Sequence, residues 1–342
     1  MADRPVGAGV GAQAPLLRRL PGLATLPRAN LGNYPTTVNR IALHDGRALL
    51  IKRDDRSGKL VGGNKVRGLE WLLGGLRPGD HVLTVGPRGS THALTTAIYA
   101  RDMGARVTVV RWSQEMNPAA RRVDAHLRAA ARIVDAPWGG ALAAHAIAAA
   151  LRIRGARGAR WIPAGGATPL AVLGHVNAGL ELAEQIAAGE CELPERLVVP
   201  LGTGSTAAGL ALGIRLAGLG TQVVAVRVVP RIVGRARRVL SLANRAASLI
   251  ESVTGERVPR VGSANVRVEH AFYGGGYGRP LDLVAEDESA LDAWGIRLDD
   301  TYGRKAFAAA AAQRDHLTML WLTFDSRLLD EADSGSLSAV AK

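Results

Sequence analysis

The chain has 342 residues, too many for one ordinary core and enough for two modest domains, and its 47% hydrophobic and 21% charged residues are globular composition. The formal charge of +13 is spread along the chain and carried almost wholly by arginine; with only 4% aromatics and no recognition motif, it sets nucleic-acid binding aside. No apolar run is long and charge-free enough to span a bilayer, the stretch from Met1 to Leu17 lacks the layout of an export signal, and the single cysteine, Cys191, makes no internal disulfide, so a soluble cytoplasmic protein is expected.

Strand-like runs alternate with longer helical patterns along the chain, which predicts an α/β protein with mainly parallel sheets. Buried strands are predicted at Leu49–Lys52, His81–Val85, Val107–Val110, Arg132–Val134, Leu197–Pro200, Val223–Val229 and Leu320–Thr323. Helices are predicted at Lys65–Leu76, Ser90–Met103, Pro118–Ala131, Ala141–Ile153, Ala171–Ala188, Ala207–Ala217 and Tyr302–Arg314. The basic stretch Arg231, Arg235, Arg237, Arg238 and Arg245 reads as a solvated surface that lines a helix. Both chain ends, the first dozen residues and Glu331–Lys342, are expected to fray.

Three places carry chemistry. Lys65 opens a helix behind Gly62-Gly63-Asn64, where the macrodipole makes a cation unfavourable by about 0.3–1 kcal/mol unless it is neutralised or consumed in a bond. A Schiff base would consume it; a solvated lysine is the plainer alternative. Gly202-Thr203-Gly204-Ser205-Thr206 follows a strand and opens a helix with free N–H groups and hydroxyls, a turn that suits phosphate. Its spacing departs from the dinucleotide fingerprint, and the next strand ends Val228-Val229-Pro230 without the acid a ribose needs. Gly89-Ser90-Thr91-His92-Ala93 offers N–H groups and hydroxyls at another helix start, which suits a carboxylate or simply caps the helix.

Lys52-Arg53-Asp54-Asp55 with Gly62 to Lys65, then Trp161 to Pro169 running on to Gly174 and Glu181–Gln185, then Tyr273 to Gly278, resemble in order the signatures of the D-cysteine desulfhydrase and 1-aminocyclopropane-1-carboxylate (ACC) deaminase family. The resemblance extends from about Lys52 to Lys305. It implies a pyridoxal-phosphate (PLP) enzyme of fold type II, tryptophan-synthase-β-like, with two three-layer α/β domains. Residues 1–66 with 166–342 would form the large domain, and 67–165 the small inserted one. Lys65 would hold the cofactor and act as general base at Cα, and Asn64, Thr91, Gly202, Thr203, Gly204, Ser205 and Thr206 would bind the cofactor. Ser90, Thr91 and His92 would meet a small amino-acid substrate, and Tyr277 and Tyr302 would stand near the leaving group as acid or gate. A homodimer is implied, and no metal.

Some residues depart from the family pattern. Gly89 and Thr91 replace a glutamine and an asparagine, Gly303 falls where the partner of the pyridine nitrogen is expected, and Phe324-Asp325-Ser326-Arg327 replaces His-Thr-Gly-Gly. A carboxylate at the ring nitrogen favours a protonated, strong electron sink. Its loss at Gly303 argues against ACC ring opening, with Asp325 or Ser326 as the segment that could restore a partner. The expected reaction is β-elimination to a 2-keto acid and ammonia. The alternatives are β-replacement or racemisation on the same scaffold, or a PLP-binding protein with weak or lost catalysis.

Overall fold

The structure, a computed structural model, describes residues 14–136, 140–154, 159–281 and 285–329. The ends expected to fray lie outside these residues. In chain order the regular elements begin with α1 (Pro15–Arg19), β1 (Val38–Ala42), β2 (Ala48–Lys52) and α2 (Lys65–Leu72). There follow β3 (His81–Pro87), α3 (Thr91–Asp102), β4 (Arg106–Trp112), α4 (Pro118–Ala130), β5 (Arg132–Ala136), α5 (Gly140–Arg154) and β6 (Arg160–Ile162). Next come α6 (Pro169–Ala187), β7 (Arg196–Leu201), α7 (Ser205–Leu216), β8 (Gln222–Arg227), α8 (Ala236–Thr254) and β9 (Val266–Glu269), and last α9 (Ala285–Asp292), α10 (Gly303–Ala311) and β10 (Thr318–Trp321).

The strands form two sheets. The larger runs β1-β2-β10-β7-β8-β9, and only β1 is antiparallel to its neighbour. The smaller, β5-β4-β3-β6, is wholly parallel. Parallel strands need crossovers, and these bring helices onto both faces, so the strands read as continuous apolar runs.

Alternation along each strand feeds two cores per sheet. In the large sheet Leu50, Leu197, Val199, Val223, Ala225 and Trp321 face α6, α7 and α8, while Leu49, Ile51, Val198, Val224 and Leu320 face Phe307 and Ala310 of α10. In the small sheet Val82, Val107 and Val109 meet α3 and α4, and Leu83, Val85 and Val110 meet Ala144 and Ala148 of α5. Each sheet is thus the middle of three layers, as the expected fold requires.

Several boundaries move from the sequence expectation. Helix α2 stops at Leu72, not Leu76, because Gly75 takes φ 69°, a left-handed conformation that turns the chain out of the helix. The strand expected at Leu320–Thr323 is Thr318–Trp321, and α6 starts at Pro169 because Thr168 caps it, its hydroxyl accepting from the Ala171 N–H at 3.2 Å. Cys191 packs partly buried against the large core, where burial raises its thiol pKa. Among the described residues no helix is long and apolar enough to cross a membrane.

Helix α6 is the member that positions the site, because it packs on both α2 and α7. Close approach depends on glycine: a Cβ on Gly174 would stand 1.9 Å from the Arg67 carbonyl of α2. Glycine at 174 therefore sets how near α2, and with it Lys65, lies to the start of α7.

Candidate active site

A cavity of about 520 Å3 lies between the two sheets, bordered by Asn64 and Lys65 of the α2 start, Ser90 and His92 of the α3 start, Gly202–Thr206 of the α7 start, and Tyr277 and Tyr302. The α3 and α7 starts follow the carboxyl ends of parallel strands β3 and β7, where α/β proteins open their crevices. Residues far apart in sequence are brought together here. Thr91 borders the smaller cavities beside it, along with Tyr302.

Lys65 is the first residue of α2. Its amine has no hydrogen-bond or ion-pair partner among the described residues, and burial pushes its pKa down to about 8. The loop before it is pinned by the segment after β10: the Asn64 N–H donates to the Thr323 carbonyl at 3.2 Å, and the Gly62 N–H to Asp325 Oδ2 at 3.1 Å. The other contacts of Asp325 go to Arg327, whose Nη2 lies 2.6 Å away. Asp325 therefore closes a loop and offers no free carboxylate. Gly303 opens α10, and its N–H donates to Asp299 Oδ1 at 2.8 Å.

At the α7 start, Gly204 takes φ 103°, a conformation open to glycine, and turns the chain so that the first N–H groups of α7 face the cavity. Thr206 Oγ1 accepts from Asn64 Nδ2 at 2.9 Å, which ties the α7 start to the loop before Lys65. Ser205 Oγ is buried without a partner among the described residues. A buried hydroxyl beside unpaired N–H groups is unfavourable unless an anion completes it, and a phosphate does so.

Ser90 is the N-cap of α3, its Oγ accepting from the Ala93 N–H at 3.2 Å. The hydroxyl proton stays free for an acceptor in the cavity. His92 is buried, its Nε2 unpartnered among the described residues, and burial, then the charge of Lys65, push its pKa down to about 3 against the Pro163 carbonyl that it contacts. Sequence reasoning missed a second such imidazole, His175 of α6. It borders the cavity with Nδ1 unpartnered among the described residues, and its pKa is lowered well below the usual range by burial, then by Lys65 and Arg67. Both rings are neutral at pH 7.

Tyr277 and Tyr302 meet edge to face with centroids 5.9 Å apart and their hydroxyls hydrogen-bonded to each other. Burial lifts Tyr277 well above its ordinary range; burial likewise raises Tyr302 to about 12 although Tyr277 and Thr91 hydrogen-bond it. Asp299 supports Tyr302 from behind by accepting its N–H at 2.9 Å, and burial raises that carboxyl to about 6 despite three backbone N–H donors. Lys305 holds the glycine loop that carries Tyr277, donating to the carbonyls of Tyr273 at 2.7 Å and Gly276 at 2.6 Å.

Behind Lys65 stands a buried ion cluster that sequence reasoning did not foresee. Arg67 donates to Asp54 Oδ1 at 2.7 Å and to Glu181 at 2.9 and 3.1 Å, and Lys52 donates to Glu181 at 2.7 Å and to the Thr36 carbonyl at 2.6 Å. Trp321 Nε1 adds a bond to Asp54 Oδ2 at 2.9 Å. Burial pushes Glu181 up, but Arg67 and Lys52 outweigh it and bring the carboxyl to about 2. Lys52, Asp54 and Glu181, quoted above as motif residues, are thus supports that join β2, α2, α6 and β10. The visible signal was a set of charges inside apolar runs.

The outer rim of the cavity is Trp112, Gln114 and His145 on one side and Val233 and Arg238 on the other; Arg238 was read in the sequence as solvated surface, and the other four went unread. Among the described residues, no group of three or more His, Cys, Asp or Glu could hold a metal ion.

A family model described as pyridoxal-phosphate dependent enzyme matches residues 29–319. A nocardicin C-9' epimerase of Nocardia uniformis subsp. tsuyamanensis is 37% identical over 89% of this chain and 94% of its own length. A D-cysteine desulfhydrase of Klebsiella pneumoniae subsp. pneumoniae is 29% identical over 84% of this chain and 89% of its own. The crystal structure of an ACC deaminase homologue superposes with a TM-score of 0.75, covering 95% of this chain and 98% of that one at 24% identity, which shows the fold. The family match over most of the chain, and the phosphate-ready turn opposite a partnerless lysine, make this chain a member of the pyridoxal-phosphate dependent enzymes of fold type II, of the ACC deaminase and D-cysteine desulfhydrase type.

Proposed function

We propose that this enzyme inverts configuration at the amine-bearing carbon of an amino-acid unit. The observation that carries the reading is the pairing, on one cavity, of an amine lowered to about 8 with two tyrosine hydroxyls that stay protonated. Inversion needs a group that takes the proton from carbon and a group that returns one. Bound PLP supplies the electron sink that makes that proton removable. The residues that would hold it are Lys65, Asn64 and Gly202–Thr206.

Lys65, as a free amine, takes and gives a proton on its side, and Tyr302 with Tyr277 serves the other. Ser90 and the N–H groups of the α3 start orient the substrate carboxylate, Ser90 as donor because its oxygen already caps the helix. Asp325 is committed to Arg327 and Gly62, and Gly303 has no side chain, so neither strengthens the electron sink. The epimerase relative, the more similar of the two described, favours the same outcome. The resemblance of Tyr273 to Gly278 supports a second reading, D-cysteine desulfhydrase-like elimination, with Tyr277 protonating the departing group. Two separate sheets support the division into 1–66 with 166–342 and 67–165. The homodimer and the cytoplasmic location rest on the resemblance and on cysteine usage.

The readings separate in D2O with each of two substrates, D-cysteine and a nocardicin. Deuterium at the amine-bearing carbon with inverted configuration and no keto acid supports isomerisation. Pyruvate, sulfide and ammonia from D-cysteine without inversion of either compound would replace it with elimination.

The cofactor site makes two predictions. Ser205→Ala should weaken PLP affinity roughly 10- to 100-fold, as befits a hydrogen bond to a charged group, in an equilibrium titration of the apoenzyme. Capture of PLP by Lys65 needs the neutral amine, so its rate should rise as pH passes about 8 and level above it, where an ordinary lysine would still be protonated. Stopped-flow absorbance across that range would show the inflection.

A further inference from the structure

We infer that the outer half of the cavity is a binding site for the far end of an elongated substrate, an aromatic ring followed by an acidic group. The inference deepens, and rests on, the reading of the inner half as the site of an amino-acid isomerase. The inner half, from Lys65 and Ser90 to Tyr302 and the α7 start, already holds every group the reaction uses. The cavity runs beyond it to Trp112, Gln114 and His145 on the small-sheet side and to Val233 and Arg238 on the other.

Those residues have the composition of a recognition surface. Trp112, at the end of β4, is half-buried against His145 of α5, with centroids 6.1 Å apart and planes at 33°. A tilted indole and imidazole form a shelf on which an aromatic ring stacks. Gln114 donates its amide nitrogen to the Arg88 carbonyl, which leaves its own carbonyl oxygen as an acceptor. Arg238 donates Nε to the Thr203 carbonyl at 3.1 Å, and its terminal nitrogens have no partner among the described residues. The guanidinium is thereby held at one edge while its other N–H groups remain for a carboxylate. Among the described residues no aspartate or glutamate borders the cavity, so the field of those residues favours an anion. A free small amino acid, held at Ser90 and Lys65, leaves all of this unused.

The test uses 3-phenylpropionate, an aryl acid without an amine, titrated calorimetrically into the holoenzyme. Saturable binding is expected, weakened about tenfold by Trp112→Ala and about tenfold by Arg238→Gln. His145→Ala, on an exposed helix face, should weaken it too and serves where Trp112→Ala fails to fold. Absence of saturable binding overturns the site. Weakening by Ser90→Ala in place of Arg238→Gln puts the carboxylate at the inner end and also overturns it. Loss of PLP affinity in Arg238→Gln with unchanged probe affinity removes the acidic half of the assignment. Because the probe cannot react, these outcomes stand whether or not the D2O experiment finds an isomerase.

Discussion

Lys65→Ala should lose the absorbance that PLP gains on bonding to lysine, and turnover should fall by about 10^3-fold or more, since one residue is both anchor and base. The stability of the PLP-free protein should not fall with it. The amine has no partner to leave behind, and burying it already acts against its charge, as its pKa of about 8 shows. A melting temperature equal to or above that of the PLP-free parent, beside an empty visible spectrum, is the expected pair of results. Retention of the full spectrum by the variant would overturn the assignment of Lys65.

The largest effect on stability should come from Arg67→Met. Arg67 is 1% exposed and faces Asp54 and Glu181, both buried, so removing the guanidinium strands two carboxylates away from water. Breaking a buried pair in this way costs about 3–5 kcal/mol, although replacing a whole cluster with apolar groups can be neutral. Urea denaturation should show the loss as a lower midpoint with an unchanged slope. The cluster also sets a pH dependence. Glu181 is depressed from 4.5 to about 2 in the folded protein, so the stability it contributes is complete above about pH 4.5 and lost as pH falls toward 2. In Arg67→Met this acid limb should shrink, because without the main partner that depresses it the folded-state pKa of Glu181 returns toward 4.5 and the folded and unfolded states bind protons more alike. A variant whose acid limb coincides with that of the parent would count against the cluster.

Legibility in the sequence followed how local each feature is. The strands at Leu49–Lys52 and Leu197–Pro200 were readable because buried parallel strands are unbroken apolar runs. Strand β6 has three residues, and β1 and β9 interleave Asn39 and Arg40, or Arg267 and Glu269, with apolar positions at a sheet edge, so their pattern is weak. Helix α8 was visible only as a run of arginines; Val239, Leu242, Ala246 and Ile250, its buried stripe, went unread. In the site, Lys65 and Gly202–Thr206 announce themselves because glycine pairs and helix starts are local chemistry. His175, Trp112 and Arg238 do not, since a histidine in a long apolar helix or an arginine among arginines carries no local mark. Only the packing of α6 on α7, of β4 on α5 and of the α8 start on the glycine turn brings them to the cavity.

Strand β10 is the last strand among the described residues, yet it lies inside the large sheet between β2 and β7. During synthesis the small parallel sheet can close once residue 162 has left the ribosome, but β2 and β7 both wait with an open edge until residue 321 follows. The waiting edges are apolar and ready to pair with any extended segment, including one from a neighbouring nascent chain. Ribosome pausing or premature termination between these two points would therefore yield a half-folded, aggregation-prone species, and the cavity, which needs Thr323 behind Asn64, would form only after the second of them.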